Sequence, residues 1–352
     1  MASRRPTLVV TMGDPAGIGP EIVARAIGSA ALRRYATLLV AGHPEILERA
    51  ARRVHPAPRF RVIRPEEDWP RDLRGTPLVD AGGEGWDAVE PGSGNAASGR
   101  MAALAIETAA RLAMSGRADG IVTAPISKTA LQAAGYPYPG HTEFLGALAR
   151  APETKMLFVG RRAARAPSFR ILLATVHLPL REVPDAIQVD SLVRTIEFGA
   201  AALRNFGWGV RRTIAVLGLN PHAGEGGLFG DEEIRVIRPA IERAVAKGIR
   251  AEGPYPADTF FAQHGNRRDL GIVVAMYHDQ GLIPAKSGGI GGAANVTLGL
   301  PFVRSSVDHG TAFDRAWKGG VRAPDAAGLV TAIRVGADLA QRAKRPMRWE
   351  WP

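Results

Sequence analysis

Three short apolar runs, each leading into a turn that carries a histidine, limit the folds open to this sequence more than any other feature. Arg170 to Val176 (RILLATV) ends at His177, Thr213 to Leu219 (TIAVLGL) at Asn220-Pro221-His222, and Gly271 to Tyr277 (GIVVAMY) at His278. Apolar runs this short, without polar alternation, have the character of strands buried on both faces. Helical patterns separate them, at Asp190 to Asn205, Asp231 to Lys247 and, more weakly, Ala257 to His264. Strand and helix in alternation predict an α/β fold with a mostly parallel sheet, in which ligands bind beyond the carboxyl ends of the strands. The three imidazoles sit where such a ligand would arrive.

The first half repeats the alternation. Pro6 to Thr11 (PTLVVT) predicts a strand, followed by the turn MGDPAGIGPEI and an Ala-rich helix from about Pro20 to Ser29, with proline suited to the first helical turn. The glycines at 13, 17 and 19 lack the G-x-G-x-x-G spacing, so a tight turn outweighs a phosphate cradle here. Asp14 in that turn either faces a ligand or caps the backbone. Tyr35 to Ala41 predicts a strand and Pro44 to Arg53 a helix. The stretch from His55 to Gly94 has a peripheral composition, and His43 and His55 read as surface residues. Gly99 to Ser115 restores a long helix, Gly120 to Thr123 a buried strand, and Pro324 to about Arg342 closes the chain with another helix. Lys128, just past a strand end, is suited either to an anion or to plain solvation.

A chain of 352 residues, 46% of them hydrophobic, can fill two lobes. It contains no run of eighteen apolar residues, and its start passes from two arginines straight into a strand-like segment, so a cytoplasmic location is expected. There are no cysteines, which leaves His, Asp and Glu as the metal ligands available. The net charge of +11 raises a rival reading from another class, a protein that binds nucleic acid or polyanions. Against it, the arginines are scattered singly or in pairs and no basic run is interleaved with stacking residues.

Chemistry concentrates between Val273 and Asp314. After His278 and Asp279, the cations Lys286 and Arg304 and the amide Asn295 are spaced through glycine-rich backbone before a loop at His309. Arginine grips carboxylate or phosphate oxygens with a planar fork, lysine as a point charge. His141 lies at the start of a helix, where N–H groups favour anions, and Thr142 is a candidate N-cap. Three strand-end histidines suit a catalytic divalent ion with an open position. Together these describe a pocket for a small phosphorylated or carboxylated molecule, with oxidation and hydrolysis both open.

The sequence resembles the 4-hydroxythreonine-4-phosphate dehydrogenase family of pyridoxal 5′-phosphate synthesis over essentially its whole length. The motifs that carry the resemblance are TMGDPAGIGPEI at Thr11, TAPISK at Thr123, GHTEFL at Gly140, ATVHLPL at Ala174, LNPHAGEGG at Leu219, GPYPADTFF at Gly253, MYHDQGL at Met276 and NVTLGLPFVRSSVDHGTAFD at Asn295. The resemblance implies a two-lobed fold similar to isocitrate and isopropylmalate dehydrogenases, with residues 1–130 and 305–352 forming a cofactor-side lobe and 131–304 a metal, substrate and dimerisation lobe. It implies one divalent metal per subunit (Zn, Mg or Co) on His177, His222 and His278, with Asp258 and Asp279 nearby. Substrate contacts are implied for His141, Thr142, Lys286, Asn295 and Arg304, and NAD or NADP on the loop His309, Gly310, Thr311 and Ala312. A homodimer with the active site at its interface is also implied.

The reaction so implied is oxidation of 4-phosphohydroxy-L-threonine to 2-amino-3-oxo-4-phosphooxybutanoate, which decarboxylates to 3-amino-2-oxopropyl phosphate. Lys286, Asp258 and Asp279 are the candidate catalytic residues, with Lys286 or Asp258 assisting proton transfer. Similar enzymes act on 4-phospho-erythronate or threonate, or on aromatic dihydrodiols of the terephthalate type. Two stretches depart from the usual biosynthetic pattern. These are IPAKSGGIGGAAN, and AFDRAWKGG, where Trp317 stands in place of an expected small residue.

Overall fold

The computed structural model of the chain describes residues 4–69, 75–161, 168–286, 292–319, 323–344 and 346–350. The chain divides into two compact units, Met1–Thr154 with Leu300–Gln341, and Lys155–Gly299 with Arg342–Pro352. The expected break near residue 130 falls instead after Thr154, so the helix carrying His141 and the strand carrying Arg304 belong to the first unit. The last residues belong to the second.

In the first unit the strands are β1 (Thr7–Thr11), β2 (Thr37–Gly42), β3 (Phe60–Ile63), β4 (Thr76–Asp80) and β5 (Gly120–Thr123), joined late in the chain by β12 (Val303–Ser306). They pair in the order β3-β4-β2-β1-β5-β12, every pair parallel. Leu8, Val9, Val10, Leu39, Val40, Ile121 and Val122 are fully buried, as strands covered on both faces require. The helix Ala96–Met114 packs on β1, β2 and β5 through small residues, including Ala103, Ala109 and Ala110. Its Gly99 is obligatory, because a Cβ there would lie 2.0 Å from the Ala130 carbonyl oxygen of the helix Lys128–Ala133.

The second unit holds β6 (Lys155–Arg161), β7 (Ser168–Leu173), β8 (Thr213–Leu217), β9 (Ala251–Tyr255), β10 (Leu270–Ala275) and β11 (Ala293–Leu298). The pairs β7–β10, β10–β8 and β8–β9 are parallel, while β6 runs antiparallel to both β11 and β7. Phe158, Ile171, Leu217, Phe260 and Val273 form its core. The C-terminal residues lie along the helix Val189–Asn205. Arg204 donates to the carbonyls of Arg348 and Glu350, and the Trp349 ring stands 6.0 Å from those of Phe198 and Phe206. No helix among the described residues is long and apolar enough to cross a membrane.

Candidate functional site

The order β7-β10-β8 makes the three histidine-bearing strands immediate neighbours, all running the same way. Their carboxyl ends are tied together. Ala174 N–H donates to Ala275 O and the Thr175 hydroxyl to Met276 O (2.7 Å), joining the ends of β7 and β10. Gln280 accepts from Met276 N–H (2.7 Å) and donates to Gly218 O (2.7 Å), joining β10 to β8. The His177 and His278 rings come within 5.5 Å, centroid to centroid, and His278 Nδ1 lies 2.6 Å from Asp279 Oδ1. A carboxylate on Nδ1 orients an imidazole and leaves Nε2 for a ligand. His222 is exposed beside Phe229. Among the described residues no three His, Asp or Glu side chains are grouped so as to hold one metal ion, so the expected triad is represented within one chain by a pair and a third imidazole on the adjoining strand end. Imidazole and carboxylate are donors of the kind that a divalent ion takes.

The His222 loop is unusual in its backbone. His222 (φ 54), Ala223 (φ 53), Gly224 (φ 81), Glu225 (φ 42) and Gly226 (φ 68) follow one another in left-handed conformation. For the three that are not glycine this costs about 1–2 kcal/mol each, and such strain persists where surrounding structure over-determines it. Beside the loop lies Glu233, only 1% exposed, whose carboxylate accepts from the N–H groups of Leu219 (2.7 Å) and Asn220 (2.8 Å) and from the Asn220 side-chain amide (3.0 Å). Sequence reasoning passed over Glu233, which looks like a surface residue of the helix that follows.

Lys286 closes the helix His278–Lys286 and is half-buried. Asn295 on β11 has its side-chain oxygen sealed from solvent with no hydrogen-bond partner, an acceptor that a ligand or water must satisfy. Asp258 is exposed in the first turn of the helix Ala257–Gln263. Residues 287–291, which include most of the glycine-rich span, lie outside the described residues.

The remaining expected substrate residues belong to the first unit. Arg304, on β12 beside β5, is 2% exposed and donates to Thr123 Oγ1 (2.7 Å). Burial holds its guanidinium down to about 10, with Glu143 opposing the shift. His141 and Thr142 open the helix His141–Leu148, whose N-cap is Gly140. Thr142 is therefore inside the first turn and does not cap it. His141 is kept neutral well below its ordinary range, first by burial and then by the charge of Arg304, and its Nε2 is sealed without a hydrogen-bond partner. Lys128 joins this group: a Cβ on Gly140 would lie 4.0 Å from Lys128 Cε and 3.3 Å from Glu143 Oε2. A buried guanidinium, a neutral imidazole, a lysine and helix N–H groups are of the kind that suits an anion, and the Glu143 carboxylate lies among them.

The loop from His309 to Ala312 lies against the turn after β1. Thr311 O accepts from Ile18 N–H (3.0 Å), and Gly17 is needed because a Cβ would meet Thr311 at 2.9 Å. The chain leaves β1 toward β2 on one side and returns to β5 on the other, so the turns after β1 and β5 flank the topological switch point of this sheet. Asp14 sits there, fully buried, with its N–H donating to Pro125 O and its Oδ1 accepting from Ala16 N–H (both 2.9 Å). Burial raises its pKa, and hydrogen bonds to Ala16, Ser98 and Ser127 oppose the rise. Trp317 locks the far end of the loop. Its N–H donates to Glu21 (2.6 Å), its indole to Pro15 O (3.0 Å), and its carbonyl accepts from Arg53 (2.6 Å).

Both units are α/β, and each carries polar side chains past the carboxyl ends of parallel strands, the position at which enzymes of this class bind small molecules. The chain belongs to the PdxA family: residues 34–335 match the family described as Pyridoxal phosphate biosynthetic protein PdxA. It is 44% identical over 342 residues to a 4-hydroxythreonine-4-phosphate dehydrogenase of Beijerinckia indica, covering 96% of this chain and 95% of that one. It is 42% identical over 347 residues to a D-threonate 4-phosphate dehydrogenase of Cupriavidus necator, covering 97% and 99%. A crystal structure of 4-hydroxythreonine-4-phosphate dehydrogenase from Klebsiella pneumoniae superposes with a TM-score of 0.84 at 38% identity, covering 95% of this chain and 99% of that one. The protein is accordingly an oxidoreductase of the dehydrogenase class, acting on a CH–OH group.

Proposed function

We propose that the protein oxidises the secondary alcohol of 4-phosphohydroxy-L-threonine with NAD⁺ or NADP⁺ in pyridoxine biosynthesis, and that the resulting β-keto acid loses carbon dioxide. The observation that carries the metal part of this reading is the placement of His177, His278 and His222 at the ends of three adjacent parallel strands. A divalent ion bound there would lower the pKa of the substrate hydroxyl and stabilise the enolate left by decarboxylation. The alcohol carbon gives its hydride to the cofactor and the hydroxyl its proton to a base, for which Lys286, Asp258 and Asp279 are the candidates. His141, Thr142, Lys286, Asn295 and Arg304 are the substrate contacts in this reading, suited to phosphate and carboxylate oxygens. The loop His309–Ala312 receives the nicotinamide cofactor.

A homodimer completes the active site in this reading. The loops that carry the histidines also carry Leu180 (69% exposed), Leu228 (73%) and Phe229, and Ile283 (71%) follows on the helix begun by His278. Large apolar side chains exposed beside a polar site favour a covering partner. Purified protein supplied with NAD⁺ or NADP⁺, zinc or magnesium, and 4-phosphohydroxy-L-threonine is expected to generate reduced cofactor and carbon dioxide. Faster turnover of D-threonate 4-phosphate or 4-phospho-erythronate would move the substrate to the sugar acids. Turnover of an aromatic dihydrodiol alone would overturn the phosphorylated substrate.

A further inference from the structure

We infer that Glu233 is a positioning residue for His222, holding the left-handed turn 222–226 so that the imidazole is presented before any ligand arrives. The inference rests on the reading of His222 as a metal ligand. The chain would not keep five successive residues left-handed on its own, since His222, Ala223 and Glu225 disfavour that region. Glu233 closes the entrance of the turn. Its Oε1 takes the N–H groups of both Leu219 and Asn220, the two residues that immediately precede Pro221, and its Oε2 takes one hydrogen of the Asn220 amide. The Asn220 amide also reaches Glu232 Oε2 (2.6 Å).

The neighbouring glycines are shaped around this carboxylate. A Cβ on Gly224 would stand 2.7 Å from Glu233 Oε2, one on Gly218 3.1 Å from Oε1, and one on Gly230 2.4 Å from the Asn220 amide nitrogen. Three glycines, spaced before, within and after the turn, leave room for one buried anion. At the exit, Phe229 N–H returns to Gly224 O (3.2 Å) and the Phe229 ring lies 6.1 Å from the His222 ring. Because Gly218 O also accepts from Gln280, two residues after His278, the same frame links the supports of two strand-end histidines. Glu233 touches neither imidazole. Its effect passes through the backbone it pins.

The test uses the full-length protein, zinc titration followed by calorimetry, and amide hydrogen exchange. Glu233→Gln replaces one acceptor oxygen by an N–H₂ group that cannot accept the same bonds, and is expected to weaken zinc binding about 10–100-fold, the range of support residues around metal ligands. The Leu219 and Asn220 amides should lose protection. Glu233→Asp, which keeps the charge at shorter reach, should recover part of both. Ala223→Gly relieves left-handed strain without touching the carboxylate, and should raise the melting temperature by about 1–4 °C with zinc affinity unchanged. Unchanged zinc affinity and unchanged amide protection in Glu233→Gln would overturn the assignment, as would a lower melting temperature for Ala223→Gly. His222→Ala separates the two levels. If that variant binds zinc as tightly as the wild type, the metal reading fails; if it loses zinc while Glu233→Gln keeps it, only the positioning role fails.

Discussion

Replacing Trp317 by alanine should destabilise the protein more than replacing it by glycine, the reverse of the usual preference. Trp317 is 8% exposed and adopts φ 59, a conformation open to glycine and costly for a bulky residue. Removing a buried tryptophan side chain costs about 3–5 kcal/mol. Alanine keeps the left-handed penalty of about 1–2 kcal/mol, whereas glycine removes it and gives back roughly 0.4–1 kcal/mol through its freer unfolded chain. The balance favours glycine by about 0.5–1 kcal/mol, which a domain of roughly 150–250 residues registers as about 1–4 °C in melting temperature. Phenylalanine retains most of the ring and loses the indole bond to Pro15 O, a change of about 1 kcal/mol. Thermal unfolding of the three variants should therefore rank phenylalanine above glycine and glycine above alanine. The bonds of the Trp317 backbone to Glu21 and Arg53 survive every substitution, so the difference isolates the side chain and its φ. If alanine equals or exceeds glycine, residue 317 is not left-handed in solution and the loop is held in some other way. In the same variants KM for the nicotinamide cofactor should rise more than KM for the substrate, because residue 317 anchors the loop that begins at His309.

Two further outcomes follow from buried charge. Burial raises the pKa of Asp14 above its unfolded value, so its folded form is favoured at low pH and loses stability as pH climbs through the folded pKa. Asp14→Asn should therefore gain on the wild type between pH 4 and pH 8 in urea midpoints, and a gap independent of pH would refute this. Inorganic phosphate at about 100 times its dissociation constant should stabilise the wild type by about 2.7 kcal/mol. Arg304→Met should abolish that gain, and Lys128→Met should reduce it in a manner that added salt masks. An undiminished phosphate response in Arg304→Met would remove an anion site at Arg304 from consideration.

The helix beginning after residue 188 and the runs that became β1, β5, β8 and β10 were legible because their apolar residues are continuous or periodic enough to name the element without its neighbours. The placement of His177, His222 and His278 past strand ends was legible for the same reason. Strands β6, β9, β11 and β12 were not. AEGPY and VRSS carry little apolar signal, and β6 pairs antiparallel on both sides, which no local pattern announces. Arg304 shows the consequence, since a polar four-residue stretch gave no hint that its guanidinium would be 2% exposed beside β5.

By itself the sequence determined the parallel α/β character, the residue types available for a metal and an anion, and the absence of any thiol chemistry, because these depend on composition and on periods of a few residues. Tertiary structure decided the rest. The order β7-β10-β8 made three distant histidines neighbours in strand sequence, and within one chain it brought two of the rings together. It also turned Glu233 into a buried clamp and Trp317 into a strained strut. Those roles depend on which backbone N–H and carbonyl groups happen to lie within 3 Å in space, and local sequence carries no record of that.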